Sequence, residues 1–99
     1  MYKCLVFLHK SDDESVLNHF NNFTIKYFSE LIGKEVKSGK VESSLLLEQK
    51  YDRFFEVTVN SKEKWDELMT TAEGRTLNKD LMDFHKFITV IFINYNEQK

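Results

Sequence analysis

The sequence predicts a single α+β domain in which two helices cover one face of a four-stranded antiparallel sheet. The chain has 99 residues and no proline, a length at which a folded protein forms one core. Segments rich in β-branched and aromatic residues alternate with two segments whose apolar residues recur every three to four positions. The resulting order is strand, helix, strand, strand, helix, strand, and we expect residues 1–99 to form one compact unit.

The first strand is predicted from Tyr2 to His9, where apolar residues occupy both faces. The motif SDDE at residues 11–14 fits a capping box, so the first helix is expected to begin at Ser11. Gly33 can adopt the left-handed backbone conformation that ends many helices, so we expect this helix to end there. At 100° per residue, the side chains that converge on the sheet are Val16, Phe20, Phe23, Tyr27 and Leu31, flanked by Leu17 and Phe28.

The middle of the chain predicts a strand pair followed by a broken helix. KVESSLLLEQ at 40–49 and RFFEVTVNS at 53–61 form the pair, joined around Lys50 to Asp52. Asn60 with Glu63 and Thr70 with Glu73 are two capping patterns, so the second helix should break near Thr70. Its inward residues are Trp65, Leu68, Met69, Leu77, Leu81 and Phe84. KFITVIFINY at 86–95 is the last strand.

This order is the ferredoxin-like βαββαβ plan, in which both helices lie on one face of the sheet and the other face is bare. The last strand is nevertheless apolar on both faces. One face carries Phe87, Thr89, Ile91, Ile93 and Tyr95, and the other carries Ile88, Val90 and Phe92. Because soluble monomers rarely expose such a surface, we predict a homodimer packed through the sheet face around a two-fold axis.

The charge pattern disfavours polyanionic partners. Lys and Arg total 14 against 16 Asp and Glu, a net charge of −2, and the signs alternate along the chain. We therefore predict no nucleic-acid partner and no membrane partner. Cys4 is the one cysteine and lies in an apolar run, so we expect an inert core thiol in a reduced compartment. With no signal-peptide pattern and no stretch of 18 apolar residues, the expected location is cytoplasmic.

Metal and covalent chemistry have little support in the sequence. Cys4, His9, His19 and His85 lack the short spacing of structural zinc sites, and no glycine-rich loop or nucleophile motif is present. We predict no metal and no cofactor. Haem ligation stays open, because one histidine suffices for it.

Residues 55–84, FEVTVNSKEKWDELMTTAEGRTLNKDLMDF, resemble the EthD-type proteins of the dimeric α+β barrel superfamily. The resemblance consists of a strand, a helix start of the form S-x-e-a, a broken second helix, and an Asp followed by an aromatic residue, here Asp80 and Phe84. EthD-like chains commonly end the first helix with a His-x-Pro-Leu turn. This sequence has Phe28 at the His position and Glu30 at the Pro position, so no role of that histidine is carried over.

The resemblance implies a dimeric barrel that holds ligands between sheet and helices. The superfamily includes cofactor-free monooxygenases of aromatic polyketides, lactone isomerases and haem-degrading enzymes, and fold alone does not choose among them. The residues we single out are His9 and Glu56 as candidate catalytic bases, and Tyr27, Trp65, Phe23 and His85 as candidate ligand contacts. Each has a structural alternative: a solvated strand end for His9, an exposed strand position for Glu56, core packing for Tyr27 and Trp65, and the surface for His85.

Three functions remain open from the sequence. The leading one is a small-molecule-binding dimeric barrel, with oxygenase or isomerase chemistry on an apolar or aromatic compound. The alternative is a non-enzymatic ligand-binding or protein-interaction module on the same scaffold. Convergence of His9, Tyr27 and Glu56 on one cavity would favour an enzyme, and dispersal would favour the module. An RNA-recognition domain is disfavoured, because DRFFEVTV has Phe where the RNA-binding signature has Gly.

Overall fold

The computed structural model describes residues 1–43, 45 and 50–95. Within them the sheet has four antiparallel strands in the order β2, β3, β1, β4. The strands are β1 (Tyr2–His9), β2 (Gly39–Lys40), β3 (Tyr51–Val59) and β4 (Ile88–Asn94). The helices are α1 (Glu14–His19), a π-helical turn (Phe20–Thr24), α2 (Ile25–Ile32), α3 (Lys62–Met69), α4 (Ala72–Asp83) and a 3₁₀ turn (His85–Phe87). The predicted ferredoxin-like α+β fold is confirmed.

Burial along β1 alternates with the two-residue period of a strand and identifies the face that the helices cover. Tyr2, Cys4, Val6 and Leu8 are buried, as are their neighbours Phe55, Val57 and Ile88. The opposite face carries Leu5, Phe7, Phe54, Ile91 and Ile93. We call it the open face, because no helix of the described chain packs on it.

The π turn between α1 and α2 changes which side chains face the sheet. A π turn holds one residue more than an α turn, and one residue rotates the helix face by about 100°. The buried positions are accordingly Val16, Phe20, Thr24, Phe28 and Leu31. Phe23 is 47% exposed, so the expectation that it faces the sheet is wrong. Tyr27 is half-buried at the flank of the core.

The cap of the first helical stretch lies two residues later than predicted. Asp13 is the N-cap, and its Oδ1 accepts from the backbone N–H of Ser15 at 3.0 Å. Ser11 Oγ instead accepts from the N–H of Asp13 at 3.1 Å. The stop at Gly33 is confirmed: its φ is 71°, the left-handed region that glycine enters without steric cost.

The second helical stretch breaks where the sequence predicted, between Met69 and Ala72. Both caps lie one residue later than expected. Ser61 Oγ accepts from Lys64 N–H at 3.1 Å, and Thr71 Oγ1 accepts from Gly74 N–H at 3.1 Å. Each cap therefore bonds the N–H three residues ahead of it, and the following glutamate sits one position earlier than in a capping box.

Two strand boundaries differ from the prediction. The second strand is Gly39–Lys40, and the backbone N–H of the following residue, Val41, donates to the Asp52 carbonyl oxygen of β3 at 2.9 Å. Of the strand expected at 40–49, residues 44 and 46–49 lie outside the described chain. The last strand begins at Ile88 rather than at 86, because the 3₁₀ turn occupies the preceding residues. No helix among the described residues has the length and apolarity needed to cross a membrane.

Candidate ligand-binding site on the open sheet face

The open face holds a cavity of about 410 Å³. Alternation along β1 turns Lys3, Leu5 and Phe7 toward it, and the antiparallel register sets Leu5 beside Glu56 and Phe7 beside Phe54. Residues 39–41 border it on the β2 side, and Tyr95 borders it near β4. The cavity is therefore mostly apolar, and the charged residues in its lining are Lys40 and the pair of Lys3 and Glu56.

Lys3 and Glu56 form that charged pair. Lys3 Nζ donates to Glu56 Oε2 at 3.0 Å, and the Glu56 hydrogen bond and charge raise the pKa of Lys3. The ammonium also lies 6.0 Å from the ring centroid of Tyr95. An ammonium has three N–H donors, so Lys3 can keep its bond to Glu56 and still donate to a carboxylate or phenolate oxygen of a bound molecule.

His9 lies on the same face at the far end of β1. Its Nε2 is 2.7 Å from Thr89 Oγ1, and its ring centroid is 5.8 Å from that of Tyr51. The register of β1 on β3 shifts between Leu8 and His9. His9 stands six positions after Lys3, roughly 20 Å along the strand, and it lies beyond the residues that line the cavity.

The other predicted contacts lie elsewhere. Trp65 is buried among the rings between helices and sheet, with its centroid 6.4 Å from Phe28 and 5.4 Å from Phe92. The ring centroids of Tyr27 and Phe23 lie 6.4 Å apart on the helical side of the sheet. His85 is exposed after α4, with Nδ1 2.8 Å from the Met82 carbonyl oxygen. The structure thus places His9 and Glu56 on one face and separates both from these four residues.

Two features of the structure were not singled out from the sequence. One is Lys3. It could have been found from the sequence, because Lys3, Leu5 and Phe7 occupy every second position of the strand and therefore share one face. The other is a buried cluster in which Asp80, named above only for the EthD resemblance, meets His19 and Thr24. Asp80 stands three residues after Leu77 and four before Phe84, so helical periodicity alone puts this carboxylate on the inward face of α4.

Metal coordination finds no support in the geometry. Across residues 1–43, 45 and 50–95, no group of three or more His, Cys, Asp or Glu side chains is arranged to hold a metal ion. The polar groups on the open face are instead arranged in pairs, Lys3 with Glu56 and His9 with Thr89.

The fold is shared with several solved structures. An EthD (ethyl tert-butyl ether D) family protein from Bacillus halodurans C-125 superposes with a TM-score of 0.78 at 22% identity, covering 97% of this chain and 99% of that one. A hydroxynitrile lyase from Passiflora edulis gives 0.66 at 17% identity, covering 99% and 95%. An Arabidopsis thaliana protein gives 0.60 at 22% identity, covering 100% and 97%.

No family model and no curated protein matches the sequence. At these identities the structural matches establish the fold and leave the activity open. The resemblance to EthD-type proteins seen in residues 55–84 is confirmed at the level of the fold.

Proposed function

We propose that this protein binds a small apolar or aromatic compound in the cavity of the open face, and that a second copy of the chain closes the cavity. The observation that carries the proposal is the cavity itself, about 410 Å³ of mainly apolar wall with the Lys3 and Glu56 pair within it. Apolar concavities with a few placed polar groups are the usual form of small-molecule sites.

The apolar surface around the cavity supports the second copy. Ile91 is 43% exposed on the open face, and Leu5, Phe7, Phe54 and Ile93 beside it are only half-buried. In a two-fold dimer the open face of one copy would pack against the open face of the other, because such an interface uses the same surface on both subunits. Stable interfaces bury about 1,600 Å² in total. Closure would also exclude water from the cavity and strengthen the electrostatic attraction of Lys3 for an anionic ligand group.

The chemistry of the cavity indicates the ligand class. Phe7, Phe54 and Leu5 offer rings and an aliphatic side chain to an apolar body, and Lys3 offers a charge-assisted hydrogen bond to a carboxylate or phenolate. An aromatic acid combines the two features.

An enzyme and a binding module both fit this site. For an enzyme, the candidate base is His9, a histidine on the open face beyond the cavity, and the shared fold with a hydroxynitrile lyase supports small-molecule chemistry on this scaffold. The alternative is a non-enzymatic ligand-binding or protein-interaction module. The separation of Tyr27 from His9 and Glu56 supports that alternative.

A calorimetric screen of aromatic acids tests the proposal. We expect saturable binding, and Lys3→Met should weaken it about tenfold or more through the lost charge-assisted hydrogen bond. Lys62→Met is the matched control, because Lys62 donates to Asp66 at 2.9 Å on the surface of α3, away from the cavity. Its affinity should equal that of the wild type.

Two results would reject the small-molecule site. One is the absence of saturable binding across the screen, and the other is equal affinity in Lys3→Met and Lys62→Met. In either case the protein-interaction module takes its place.

A further inference from the structure

A buried carboxylate ties the first helical stretch to α4. Asp80 is 8% exposed, and both of its oxygens are occupied. Thr24 Oγ1 donates to Oδ2 at 2.8 Å, and His19 Nε2 is 2.6 Å from Oδ1. Thr24 is buried because the π turn rotates it inward, so this bond depends on the irregular turn. π turns inside α-helices occur frequently at functional sites.

The carboxylate determines how His19 presents its ring. The contact with Asp80 uses Nε2 of His19 and leaves Nδ1 on the other side of the ring, where it has no hydrogen-bond partner in the described part of the chain. In the tautomer whose hydrogen is on Nε2, Nδ1 is an acceptor. The ring centroid lies 4.5 Å from that of Phe84 and 5.2 Å from that of Phe23. The His19 side chain is 37% exposed, so a molecule at the surface can reach it.

A second cavity, of about 370 Å³, borders His19 on the side of the helices away from the open face. Val16, Phe84 and Phe87 give it apolar and aromatic walls, and Asp13 and Asp83 line it as well. Hydrogen bonds from the Ser15 hydroxyl and backbone N–H lower the pKa of Asp13, which is therefore a carboxylate at neutral pH. Among the described residues, no lysine or arginine lines this cavity. The carboxylates of this cavity are opposite in sign to the Lys3 ammonium on the open face, so the two cavities should favour ligands of opposite charge.

We propose that this second cavity is a binding site for small aromatic amines. The aromatic ring packs on Phe84 and Phe87, the ammonium lies near the Asp13 and Asp83 carboxylates, and one N–H donates to His19 Nδ1. Asp80 is a positioning residue, since it holds the His19 ring through Nε2 without reaching the ligand. The site lies outside the open-face cavity and does not depend on the function proposed above.

Phenethylamine and phenylacetate are suitable probes, because they share a ring and differ in charge. Titrated into ¹⁵N-labelled protein, phenethylamine should shift the His19 Nδ1 resonance and the amides of Ser15, Asp83 and Phe87 saturably. Phenylacetate at the same millimolar concentration should leave them in place. A Lys3→Met variant should bind phenethylamine as the wild type does, which separates this site from the open face.

Variants assign the effect to His19. His19→Gln should weaken phenethylamine binding about tenfold, whereas His85→Gln, the exposed histidine control, should not change it. Should His19→Gln fail to fold, Asp83→Asn removes one rim charge on an exposed residue and should still weaken binding several-fold. The proposal is overturned by non-saturable shifts, by equal binding of phenylacetate, or by undiminished affinity in Asp83→Asn.

Discussion

Cys4 lies in the middle of β1 with its side chain turned toward the helices, 1% exposed. Burial raises the pKa of its thiol from the ordinary 9.0 to about 12. Thiolates are the reactive form of cysteine, and the folded protein keeps this thiol protonated and covered. The sequence-based expectation of a core thiol is confirmed.

The raised pKa predicts a loss of stability in alkali. Below pH 9 the thiol is neutral in the folded and the unfolded protein, and its contribution to the free energy of unfolding is fully present. As the pH rises from 9 toward 12, the thiol ionises in the unfolded chain but stays protonated in the folded protein, and this contribution is lost. The full effect is about 4 kcal/mol, of which about 2 kcal/mol is lost by about pH 10.5. Urea unfolding at pH 8 and 10.5 measures it.

Cys4→Ala supplies the control for that measurement. All other titratable groups are the same in the two proteins, so a difference in the pH dependence of the free energy of unfolding comes from the thiol. The free energy of unfolding should fall less with pH in Cys4→Ala than in the wild type. Parallel losses in the two proteins would show that Cys4 ionises normally in the fold.

Side-chain direction was predictable where the backbone is regular. In β1 the strict alternation of a strand predicted both faces correctly, and burial then showed which face the helices cover. On the first helical stretch the same reasoning failed after Phe20, because 100° per residue does not hold through a π turn. Phe23 and Tyr27 were misplaced for that one reason, and Thr24 was overlooked.

Gly74 shows how one residue sets the angle between two elements. It lies in the first turn of α4, where the chain turns sharply after α3. A Cβ at this position would overlap the Leu68 carbonyl oxygen and the backbone of Met69. The close approach of α4 to the end of α3 therefore requires glycine here.

Gly74→Ala should accordingly destabilise the protein, although alanine is the better helix former by about 1 kcal/mol. Overpacking against backbone costs about 1 to 3 kcal/mol, and because the backbone cannot move aside we expect a net loss of about 2 kcal/mol in chemical denaturation. Gly39→Ala is the matched control, since a Cβ there meets nothing within 4 Å. Unchanged or higher stability of Gly74→Ala would mean that the corner between α3 and α4 relaxes freely.

Element boundaries were predicted less well than element identity. The break near Thr70 and the stop at Gly33 followed from glycine and capping chemistry and are correct. The starts at Ser11, Asn60 and Thr70 were early, because several neighbouring Ser, Thr, Asp and Asn residues can each accept the same N–H groups. Local sequence does not decide among such caps; the packing of the helix behind them does.

At the scale of the molecule, the element order was sufficient to predict the sheet topology. The location of the candidate ligand cavity was not predictable in the same way. It depended on which face the helices fill, and the rings of Phe20, Phe28, Phe55 and Trp65 fill the space where the ligand was expected. The cavity with Lys3 and Glu56 lies instead on the opposite face, and we propose that a second copy closes it.

Sedimentation equilibrium at micromolar concentration tests that central claim most directly. Ile91→Lys places a charge on the open face, and Met82→Lys places the same charge on an exposed apolar residue of α4. A buried, unpaired charge costs several kcal/mol, so only the first should disrupt packing between two open faces. We predict that the wild type and Met82→Lys sediment at twice the 11.8 kDa chain mass, and that Ile91→Lys sediments at the chain mass itself. A wild-type protein that sediments at the mass of one chain would contradict the account.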